Sequence, residues 1–100
     1  MSANPVRGEA AVLVDGEPLV LRPSFAALVA AESEIGPLFA LVERAAEGRL
    51  SLSEIAALFW HCAGGAVVRE RIGAALVEMG LAKAMPVLRV LLGQILQGRV

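Results

Sequence analysis

The chain has 100 residues, with nine basic and ten acidic side chains and a net charge of -1. The two signs alternate rather than forming blocks, which leaves no basic footprint for nucleic acid or an anionic membrane surface. Hydrophobic residues make up 57% and glycine supplies 10 more positions, above the ~45–50% of an average soluble domain.

Part of that excess is alanine, which suits helices and adds little burial. The remaining Leu, Val, Ile, Phe and Met are generous for one small core, so apolar surface is left for exposure, for a partner or for a second copy of the chain. One cysteine rules out an internal disulfide and fits a reducing cytoplasm. The longest stretch without Asp, Glu, Lys or Arg, Ile55 to Val68, is shorter than the ~18–20 residues of a membrane-spanning helix. No basic segment followed by an apolar run opens the chain, so neither a signal peptide nor a membrane role is expected. The expected location is the cytoplasm.

Residues 1–7 read as a loose polar arm. Glu9 to Val14 and Pro18 to Arg22 are short β-prone runs on either side of Asp15-Gly16. That pair tolerates the positive φ of a tight hairpin turn. Such a hairpin is marginal alone and must pack on the helical remainder of the chain, through Val12, Val14, Leu19 and Leu21. From Ser24 onward the periodicity is helical. Ser24 is a good N-cap, with Phe25, Leu28, Val29 and Ile35 at helical spacing. Gly36-Pro37 breaks and restarts the chain. Leu38, Leu41, Val42 and Ala45 give the next helix its inner stripe, and Glu43, Arg44 and Glu47 point outward.

Ser51-Leu52-Ser53-Glu54 has the form of a capping box and starts a helix running to Ala63. A fourth helix, about Ala66 to Met79, places Val68, Ile72, Ala75, Leu76 and Met79 on one face, and Gly80 closes it. The last helix runs from about Leu81 to Gln97. Pro86 either kinks it or marks its first turn, and Leu88, Leu91, Leu92, Ile95 and Leu96 form a wide apolar face. The expected fold is α+β, mainly α: one domain over residues 1–100, with a hairpin at 8–22 and about five short helices at 24–98.

The stretch FWHCAGG, Phe59 to Gly65, gathers the only Trp, His and Cys. On a helix, His61 and Cys62 point about 100° apart. His61 falls on the solvent side and Cys62 on the flank of the stripe made by Leu52, Ile55, Ala56, Phe59 and Ala63. A Cys–His nucleophile pair needs hydrogen-bond contact and a group that orients the base. A tetrahedral zinc site would need further ligands, because there is no second His. Glu32 and Glu34 do not make an acid–base pair, since their i,i+2 spacing separates them by about 200°. Gly64-Gly65 lacks the GK[ST] of a phosphate loop. The stretch therefore reads as a helix end, with no catalytic residue, cofactor site or metal site. Trp60 reads as a core-rim residue or as an anchor for a partner.

Several short motifs succeed one another in a telling order. Asn4-Pro5-Val6-Arg7-Gly8-Glu9 comes first, then Asp15-Gly16, then Leu21-Arg22-Pro23-Ser24-Phe25-Ala26-Ala27-Leu28. Ala46-Glu47-Gly48-Arg49-Leu50-Ser51 comes next, with Glu54-Ile55, and finally Gly80-Leu81-Ala82. Together they resemble the tail proteins of gene transfer agents and related phages, a family placed among tail assembly chaperones and also labelled a tail tube family. The resemblance spans nearly the whole chain. It implies a non-enzymatic chaperone that covers the tape-measure protein while the tail tube assembles, with the tape-measure and tube proteins as partners.

A small helical protein with apolar faces to spare can cover such a surface by helix-in-groove contacts. The last helix, through Leu88, Leu91, Leu92, Ile95 and Leu96, is either that contact element or simply core. Two rival readings remain. One is a structural tail component, a tube or connector subunit kept in the particle. The other is a small nucleic-acid-binding regulator, suggested by helix-turn-helix-like spacing around Gly64-Gly65 and opposed by the balanced charge.

Overall fold

The computed structural model describes residues 9–97. The arm at 1–7, the Arg7-Gly8 opening of the hairpin and the position after Gln97 lie outside the described residues. The elements are β1 (Ala10–Val14), β2 (Glu17–Leu21), α1 (Phe25–Ile35), α2 (Leu38–Ala46), α3 (Leu52–Cys62), α4 (Arg69–Met79) and α5 (Leu81–Gln97). The fold is thus α+β and mainly helical, as the periodicity implies.

The hairpin turns at Asp15 and Gly16, with φ of 54° and 80°. Positive φ at both central residues matches the right-handed twist of the flanking strands, which is why an Asp-Gly pair stands there. The register pairs Val14 with Glu17, Val12 with Leu19 and Ala10 with Leu21. Val12, Val14 and Leu21 are buried and Leu19 partly so, so the period-2 pattern docks one face on the helices. The outer face is also apolar, made by the cross-strand pairs Ala11/Val20 and Leu13/Pro18, and Leu13 is 62% exposed. Glu9 is buried and meets Arg22 at 3.1 Å. The Arg22 amide donates to the Cys62 carbonyl at 2.8 Å, tying the hairpin to the end of α3.

Ser24 caps α1, its hydroxyl accepting the Ala27 amide at 3.2 Å. After Gly36, the Glu32 carboxylate accepts the Leu38 amide at 3.1 Å. That caps α2, where Pro37 has no side chain able to do so. The capping box is complete: the Glu54 amide donates to the Ser51 hydroxyl at 3.2 Å and the Ser51 amide to the Glu54 carboxylate at 2.9 Å. Arg44 of α2 also reaches Glu54 at 2.6 Å, so Arg44 points toward α3 rather than simply outward.

α3 is the central helix. Ile55 through Phe59 and Cys62 are all buried, a wider burial than a single stripe, because both α1 and α4 pack against α3. α5 packs across α4, β1 and α2. Pro86 lies inside α5, five residues after its start, where it removes one ladder bond without ending the helix. No single helix among the described residues is long and apolar enough to cross a membrane.

Three expectations fail locally. Phe25 and Val29 are not core residues: they are 86% and 44% exposed, and α1 buries Ala31 instead, with Leu28 and Ile35 partly packed. α1 packs on α3, and a small side chain at a buried position suits a short distance between helix axes. Leu52 is 43% exposed because it sits in the first turn of α3, beyond the packed part of the helix. α4 starts at Arg69, not near Ala66, since Gly64 and Gly65 adopt φ of 67° and 78° and the chain needs the next few residues to turn. Val68 becomes its N-cap and is 59% exposed.

Candidate functional site

FWHCAGG closes α3, and its side chains are committed to holding helices together. Phe59 is fully buried. The Trp60 indole N–H donates to the Val67 carbonyl at 2.9 Å, and the guanidinium of Arg69 lies 4.5 Å from the ring centroid, a stacking contact that suits arginine. Trp60 is therefore engaged within the fold on both its polar end and one ring face.

His61 does not stand free on the solvent side. Its side chain is 13% exposed and its Nε2 lies 2.8 Å from the Glu34 carboxylate. The wheel of α3 alone puts His61 opposite the core stripe, but the end of α1 crosses that position. Glu34 also takes a bidentate pair from Arg69, one contact of which is 2.8 Å. This holds the Glu34 carboxyl at about 2, below its ordinary 4.5, chiefly through the Arg69 hydrogen bonds and then His61. The Arg69 guanidinium is raised in return. One carboxylate thus links the ends of α1 and α3 with the start of α4. Arg71 pairs with Asp15 in the hairpin turn, so neither arginine is balanced mainly by its neighbour Glu70, as the linear order suggests.

Cys62 is 3% exposed, more buried than a flank position implies. Burial pushes its thiol up to about 12, so it stays protonated near neutral pH, whereas a nucleophilic cysteine needs its thiolate. His61 is bonded to Glu34 and not to Cys62. Among the described residues no group of three or more His, Cys, Asp or Glu could hold a metal ion. A shallow groove of about 510 Å³ runs beside this cluster, between β2, the start of α1 and the end of α3. Its walls are mostly small, including Ala26, Ala30, Ala63 and Gly65, and Arg22, Ser24 and His61, which also line it, are each already hydrogen-bonded, to Glu9, the Ala27 amide and Glu34 respectively.

The five residues of the last helix divide. Leu88 and Leu91 are 1% and 0% exposed and belong to the core, the second of the two alternatives that the sequence left open for this face. Leu92 and Ile95 are partly buried against the core, and Leu96 is 58% exposed. A seventeen-residue helix lying across α4, β1 and α2 buries one side of its apolar face and leaves the other open. That open side forms one wall of an apolar groove of about 350 Å³ between α2 and α5. Val42 and Ala46 line one side; Met85, Leu92 and Leu96 line the other. Sequence reasoning missed the α2 wall. Phe39 was its signal: it precedes Val42 by three residues on the same helix flank, lies outside the inner stripe, and is 70% exposed.

Fold and site define a small, mainly helical domain with a polar latch at one end of its central helix and an apolar groove open at its surface. Residues 7–98 match the family model described as "Phage tail tube protein, GTA-gp10". The chain belongs to this family of phage tail proteins. Neither a curated protein nor a solved structure matches it.

Proposed function

We propose that the protein is a non-enzymatic tail assembly chaperone, which shields the tape-measure protein in the cytoplasm of the producing cell while tail tube subunits polymerise. The observation that carries this reading is the apolar surface left open on so small a fold. Leu96, 58% exposed, lines the groove between α2 and α5, Phe39 of α2 is 70% exposed, and the hairpin presents a second apolar face. Patches of this kind mark protein-binding surfaces. The absence of a catalytic role is supported by the chemistry of FWHCAGG, where the thiol is held protonated and the imidazole is bound to a carboxylate.

The family description favours a second reading, a tube subunit retained in the particle. Against it, the sheet among the described residues has only two strands, a small basis for ring building by strand pairing. Quantifying the protein in purified particles and in assembling cells separates the two. The chaperone reading expects co-purification with the tape-measure protein and amounts far below stoichiometric in finished particles. Near-stoichiometric retention in the particle overturns it.

A further inference from the structure

We infer that the groove between α2 and α5 seats one amphipathic helix of a partner protein, with the backbone of that helix passing close over Gly93. This rests on the chaperone reading and names the surface and the geometry of recognition. The first observation is Gly93 itself. It lies inside α5 and lines the groove, and a Cβ built on it meets nothing within 4 Å. Glycine in a helix interior is costly relative to alanine, and nothing inside this fold requires it. What glycine provides is room for another backbone at the groove floor. The stretch from Met85 to Leu96 along α5 is about 16 Å long, which matches about three turns of a docked helix with anchors at i, i+4, i+7 and i+11.

The second observation is the charge at the edge of the groove. Arg89 stands on the α5 rim of the groove. Among the described residues Arg89 has no ion-pair partner, while Arg44 pairs with Glu54, Arg49 with Glu47 and Arg69 with Glu34. An apolar floor with a free cation at its edge is complementary to a helix whose apolar stripe has acidic residues on one flank.

The test uses the full chain and a labelled, Leu/Ala-based helical peptide of about 18 residues, with Glu along one flank of its Leu stripe. NMR shift changes are expected at Val42, Ala46, Leu92, Gly93 and Leu96. Gly93→Ala should raise Tm by about 4–8 °C yet weaken binding, and Gly93→Leu should weaken it at least about tenfold by filling the floor. Gly73→Ala on α4, where an added Cβ is equally unopposed, should raise Tm and leave binding unchanged. Arg89→Glu should weaken binding about two- to fivefold, and replacing the flanking Glu of the peptide by Lys should restore it.

Shifts confined to the hairpin, or a Gly93→Leu variant that binds like the parent chain, overturn the inference. So does a concentration-dependent dimer that Gly93→Leu disperses, which would make the occupant a second copy. Normal particle yield from a Gly93→Leu strain whose protein no longer binds the peptide leaves the groove standing and sinks the chaperone reading.

Discussion

The latch at Glu34 yields a pH-dependent prediction. Glu34→Gln keeps the size of the side chain and removes the charge that Arg69 and His61 share. A carboxyl held at about 2 instead of 4.5 corresponds to about 3 kcal/mol if it were fully shielded from water. The Glu34 side chain is 38% exposed, so solvent and salt reduce the contribution to about 1 kcal/mol. Because the carboxyl is lowered in the fold, the stabilisation is complete above about 4.5 and disappears as pH falls toward 2. Thermal unfolding of both proteins from pH 7 to pH 2.5 is the assay. At pH 7 the variant should melt about 4–8 °C lower, and the gap should narrow steadily below pH 4.5 and shrink in high salt. A gap of the same size at pH 7 and pH 2.5 would refute the electrostatic reasoning, and equal melting at pH 7 would show that the latch holds nothing.

Gly16→Val should destabilise the hairpin by about 1–2 kcal/mol, because a β-branched residue resists φ near 80°; an unchanged urea midpoint would contradict this. Leu91→Glu should unfold the domain, since it leaves a charge unpaired at a position 0% exposed, whereas Leu96→Glu, at 58% exposed, should keep full helical circular dichroism. Cys62 should resist alkylation at pH 8 unless urea is added, because its thiol is buried and held at about 12; rapid modification of the folded protein would place it at the surface. Phe59→Ala should cost about 3–5 kcal/mol in urea unfolding, since the ring is fully buried in the central helix; a loss below 1 kcal/mol would mean that α3 is not the core.

Local signals determined most of the architecture. Asp15-Gly16 specifies its own turn, Ser51 and Glu54 satisfy each other's amides, and Gly64-Gly65 end α3, because each depends on residues a few positions apart. α5 was legible in full, from Leu81 to Gln97, because Gly80 and a sustained apolar period mark it even with Pro86 inside. What each helix face meets was not legible. Periodicity says that a helix has an apolar side, but it does not count the neighbours. α3 has two helices packed against it and is buried more widely than one stripe, while the stripe of α1 is partly left outside, exposing Phe25. Glu34 finds His61 and Arg69 across 27 and 35 residues, and no local spacing encodes a pairing of that length. The apolar face of α5 was visible as a single row of leucines. Only the crossing of α2, α4 and β1 decided that Leu88 and Leu91 are core while Leu92 and Leu96 face an open groove, because burial belongs to the packed pair of surfaces and not to either sequence alone.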